Sequence, residues 1–114
     1  MTLLLLAWIL QPIWLKVSPS VAFAPANMIV QAHLKPIASD RLVRIEVESA
    51  DFFAATECQL EGEDSPKVCP VPRPMLLQRL GPGIYEIRAG IGPWHDYRDG
   101  FRTVTHQTVE ILGN

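Results

Sequence analysis

From Asn27 onward, apolar and polar residues alternate with period two, the pattern of strands that bury one row of side chains and solvate the other. "MIVQAHLKP" sets Met28, Val30, Ala32 and Leu34 against Gln31, His33 and Lys35, and Pro36 ends the run. "RLVRIEVES" repeats the pattern with Val43, Ile45 and Val47 inward and Arg44, Glu46 and Glu48 outward. In "IYEIRAGI", Tyr85, Ile87, Ala89 and Ile91 share a side opposite Glu86 and Arg88. "ATECQLEGE" is a shorter strand with Cys58 and Leu60 on one face, and "MLLQRL" makes another before the turn "GPG". The long "FRTVTHQTVEIL" places Val104 out of phase with Val109 and Ile111, which predicts a bulge near His106. Four prolines between Pro66 and Pro74 exclude a central strand there, because proline cannot donate to a ladder. No segment after Asn27 has helical periodicity. Six to seven short strands over residues 27–114 predict an all-β fold, an antiparallel two-sheet sandwich.

The first residues follow another pattern. Residues 3–15, "LLLLAWILQPIWL", are almost purely apolar, close to the length of the hydrophobic region of a secretory signal and short of a membrane span. "VAFAPAN" offers Ala-x-Ala sites ending at Ala24 and Ala26, and cleavage after the second gives a mature chain from Asn27. The sequence thus predicts a signal peptide over residues 1–26 and a sandwich domain over residues 27–114. The alternative is a retained membrane anchor over residues 3–24, against which Pro12, Lys16 and Pro19 argue. Of ten Lys and Arg only Lys16 precedes Asn27, so against twelve Asp and Glu the remainder carries a formal charge of −3. Its cations are dispersed among acids, which excludes nucleic acid as a partner.

"LQRLGPGIYEIRAGI" resembles the tyrosine corner of bacterial immunoglobulin-like and fibronectin type III-like domains, with Leu80, Pro82, Gly83 and Tyr85 in the matching positions. The resemblance implies an immunoglobulin-like sandwich whose penultimate strand opens at Tyr85, the buried phenol bonding an upstream backbone group. An antibody-like domain is excluded, because Trp8, Trp14 and Trp94 all lie outside the interval between the two cysteines.

Candidate chemistry is sparse. Cys58 and Cys69 are most simply a disulfide in an exported chain, and neither a C-x-x-C pair nor a zinc-type spacing is present. His33, His95 and His106 lie on three different elements and supply the ligands for a possible copper or zinc site. No serine has a nucleophile elbow, and the carboxylates Glu46 and Glu48 read as a solvated strand face. The segment between the last two strands concentrates Trp94, His95, Asp96, Tyr97, Arg98 and Asp99, a candidate binding loop at one end of the sandwich.

Together these features predict an exported, periplasmic or secreted module that is not an enzyme. It would act by surface contact with protein or glycan at the cell envelope, as an accessory, adhesion or assembly component, without a cofactor. A periplasmic metal-binding or metal-chaperone protein using the three histidines is the second reading.

Overall fold

The computed structural model describes residues 13–35, 42–61, 67–92 and 102–113. Two sheets face each other. In the first, β1 (Ile13–Ser18) pairs antiparallel with one edge of β3 (Ala26–Leu34), and the other edge of β3 carries β6 (Val68–Cys69) and β7 (Met75–Leu80). The second sheet has the order β2 (Val21–Phe23), β9 (Arg102–Leu112), β8 (Gly83–Gly92), β4 (Leu42–Ser49) and β5 (Phe52–Gln59). No helix occurs among the described residues.

Alternation decides which residues fill the space between the sheets. Met28, Val30 and Ala32 from β3 meet Val43, Ile45 and Val47 from β4, with Tyr85, Ile87, Val109 and Ile111 from β8 and β9, all essentially buried. Each fully buried aliphatic side chain of this size contributes about 1.5–3 kcal/mol against the entropy of ordering the strands. The outward rows of β4 and β8 carry Arg44, Glu46, Glu86 and Arg88, as the sequence pattern requires.

Among the described residues seven strands, β3 to β9, run from Ala26 onward, in line with the expected six to seven, and the difference is at the start of the chain, where β1 and β2 precede them. The sandwich begins before the expected boundary at Asn27. After Pro12 the apolar run itself alternates: Ile13 is buried and Leu15 and Val17 pack against the core, while Trp14, Lys16 and Ser18 lie outward. The chain then crosses between sheets, and β2 runs parallel to β9, fixed by hydrogen bonds from the Glu110 amide to the Ser20 carbonyl and from the Ala24 amide to the Leu112 carbonyl. The bulge expected near His106 is a register shift in the pairing of β8 with β9, where Ala89 pairs with Thr105 but Gly90 with Thr103.

Candidate functional site

The start of β8 forms one end of the sandwich. Tyr85 is buried, and its hydroxyl donates a 2.8 Å hydrogen bond to the Gly81 carbonyl. Its ring meets Phe52 edge-on, centroids 5.9 Å apart. Gly83, at φ 153°, occupies backbone space that side chains disfavour, which lets the Pro82 turn lead directly into the strand.

Two irregularities bring polar groups to this corner. In β7, Leu77 pairs with Met28 and Leu80 with Ala26, so Gln78 and Arg79 together oppose Asn27 in a bulge. Arg79 sits in the left-handed region at φ 58°, and its amide donates to the Asn27 side-chain oxygen at 3.1 Å. Such a conformation costs a non-glycine residue about 1–3 kcal/mol, and residues held in it cluster at functional sites. The other irregularity is the tight turn of Ala50 and Asp51 between β4 and β5, where Ser49 pairs with Phe52.

Between these features lies a cleft of about 390 Å³, lined by Asp51, Phe52, Gln78, Arg79, Gly81 and Pro82, with Leu80 and Tyr85 at its base. Phe52, Leu80 and Tyr85 give it an apolar floor; exposed Gln78, Arg79 and Asp51 give it a polar rim. Among the described residues, no ion pair involves Arg79 or Asp51. A rim carrying a free guanidinium and a free carboxylate is suited to a small ligand with charged ends.

A second group of charges forms ion pairs. On the outer face of the five-stranded sheet, Arg44 contacts Glu46 and Glu57, each at 3.0 Å, and Arg88 reaches Glu48 at 2.8 Å and Glu46 at 3.5 Å. Its hydrogen bond to Glu48 holds the Arg88 guanidinium above its already high ordinary pKa, with the charges of Glu48 and Glu46 adding to the effect and desolvation opposing it. This ladder is a network of strand-face pairs.

Of the three candidate ligands, His33 and His106 lie among the described residues, and they are not brought together. His33 lies on the outer face of the first sheet, stacked on Trp14 with ring centroids 5.8 Å apart, and its Nε2 is buried without a hydrogen-bond partner among the described residues. His106 is exposed on the other sheet, opposite Arg88. Strand parity turns both rings away from the shared core, hence away from each other. No group of three metal-ligating side chains occurs among the described residues. His95 and the candidate loop Trp94, Asp96, Tyr97, Arg98 and Asp99 fall outside the described residues; Gly92 and Arg102, which bracket it, lie at the far end of β8 from Tyr85.

Cys58 and Cys69 form a disulfide, which joins β5 of one sheet to β6 of the other. A bridge of this kind points to a non-reducing compartment.

Sequence reasoning missed Asp51, Gln78 and Arg79. A signal for the last two was present: Leu77 and Leu80 both point inward, and a spacing of three cannot keep both on one face unless a residue is inserted.

No family model matches the chain, and no curated protein matches it. Among solved structures, the chain is similar to the superoxide reductase (neelaredoxin) from Ignicoccus hospitalis, with a TM-score of 0.55 and 9% identity over 88% of this chain and 80% of that one. At that identity the likeness is one of fold. It corrects two expectations. The resemblance to immunoglobulin-like and fibronectin type III-like domains reduces to a shared two-sheet sandwich. The expectation of a non-enzymatic contact module is corrected as well, because the solved structure with which the chain shares its fold is that of an enzyme, a superoxide reductase.

Proposed function

We propose that this chain is an exported sandwich protein that binds a small carboxylate-bearing ligand in the cleft beside Tyr85. One observation carries the reading: Arg79, held at φ 58° on the cleft rim, has no ion-pair partner among the described residues. A guanidinium offers a planar fork of donors that matches a carboxylate, and the apolar floor of Phe52, Leu80 and Tyr85 takes the ligand body. Asp51, on the same rim, favours a ligand that also carries an amine or hydroxyl.

The experiment is calorimetric titration of a panel of small amino, hydroxy and keto carboxylates, with the matching amides as controls. Binding is expected for at least one acid and not for its amide, and Arg79→Gln should weaken it tenfold or more. Equal binding of acid and amide, or indifference to Arg79→Gln, would refute the reading.

Two finer assignments belong to the same proposal. The neighbour order β9, β8, β4, β5, with β1, β3 and β7 in the facing sheet, supports an immunoglobulin-like type of sandwich. The disulfide supports export.

A further inference from the structure

Among the described residues, the free edges of the two sheets are not alike. On the first sheet, β1 is six residues with Lys16 in it and Pro19 just after it; β6 is two residues beside Pro70, Pro72 and Pro74; β7 carries the Arg79 bulge. On the second sheet, β2 is three residues, closed off by Pro19 and Pro25. Shortness, proline, lysine and bulges are the devices by which sheet edges avoid pairing with other chains.

The edge strand β5 has none of them. It runs for eight residues, "FFAATECQ", in unbroken register with β4, without proline, glycine, lysine or a bulge. Phe53 stands 55% exposed on its outer face beside exposed Ala55 and Glu57. Its one charge, Glu57, is already paired with Arg44 at 3.0 Å.

We infer that β5 is an interaction edge, and that its occupant is the β5 strand of a second copy of this chain, joined antiparallel across a two-fold axis at Ala55. Self-pairing in that register sets Phe53 opposite Glu57 on the outer face, Ala55 opposite Ala55 at the axis, and Ala54 opposite Thr56 and Phe52 opposite Cys58 on the inner face. No like charges meet, and the small residue on the axis lets the strands approach. A two-fold at Glu57 would set two carboxylates opposite each other, so the charge pattern excludes that register. The two five-stranded sheets then continue as one, and the outward-facing edge between Phe53 and Glu57 gains a ladder partner.

Sedimentation equilibrium of the oxidised full chain, between about 1 and 100 µM, reads the association directly. A dimer is expected, and Ala55→Lys, which opposes two cations at the axis, should raise its dissociation constant at least tenfold while the circular dichroism stays unchanged. Hydrogen exchange of the unmodified chain covers the case in which the variant misfolds: amides between Phe53 and Glu57 should gain protection as concentration rises. A monomer throughout, a dimer indifferent to Ala55→Lys, or protection independent of concentration would each overturn the proposal.

Discussion

The Tyr85 hydroxyl reaches back four residues to the Gly81 carbonyl at 2.8 Å, so one side chain closes the turn that forms a wall of the candidate cleft. The ring fills the core against Phe52 while the oxygen ties the strand back to the turn. Tyr85→Phe keeps the ring and removes this bond, which should cost about 1 kcal/mol. In a thermal melt that corresponds to a fall in Tm of roughly 4–8 °C per kcal/mol for a domain of this size. An unchanged Tm would mean that water replaces the phenol and that the corner is held by its turn residues alone.

The Cys58–Cys69 bridge joins strands of opposite sheets across a sequence separation of 11. Loop closure of that length restricts the unfolded chain by roughly 3 kcal/mol. Intact mass should therefore rise by two hydrogens on reduction, and the double change to serine should lower stability by roughly that amount in urea titration. A mass that does not respond to reduction would remove the bridge and, with it, the argument for a non-reducing compartment.

The ladder on the outer face makes a prediction about salt more than about pH. The Arg88 pKa is raised on folding, so its contribution is complete below the unfolded value and is lost only as pH rises through the folded one, far into alkali. Stability differences between the parent and Arg88→Met should thus stay flat from about pH 6 to 9, remain under about 1 kcal/mol, and shrink in high salt. Arg44 is better covered, its side chain 13% exposed against 31% for Arg88, so Arg44→Met should cost more. A larger loss at Arg88 than at Arg44 would contradict this ordering.

The buried rows of β3, β4 and β8 were legible because each places a half-buried strand in a single phase, so period two maps directly onto two faces. Legibility ended where the phase changes. Gln78 and Arg79 break it by a bulge, and the rim of the cleft depends on that break. Ala50 and Asp51 carry no glycine to announce their two-residue turn, and Asp51 meets Arg79 at one cleft only through the packing of two sheets. Partners such as Cys58 and Cys69 needed only the count of cysteines and the assumption of export. The histidines show the converse: three ligand-type residues suggested a centre, yet strand parity sends His33 and His106 to opposite exteriors.

Residues 13–23 fall within the segment that the sequence predicts as a signal peptide over residues 1–26, yet from Ile13 the chain alternates in β1 and adds β2. The fold uses that alternation. Ile13 is fully buried, β1 pairs through six positions with β3, and β2 closes the edge of β9. Loss of residues 1–26 would uncover the β3 edge and remove Ile13, whose burial alone contributes about 1.5–3 kcal/mol. The protein recovered from its native cell fraction is therefore expected to begin before Ile13, and a chain started at Asn27 to unfold at markedly lower urea. Amino-terminal sequencing reads the first point and a paired denaturation series the second. A native terminus at Asn27 with undiminished stability would show that β1 and β2 contribute nothing to the mature sandwich, and that β3 presents an open edge in the functional protein.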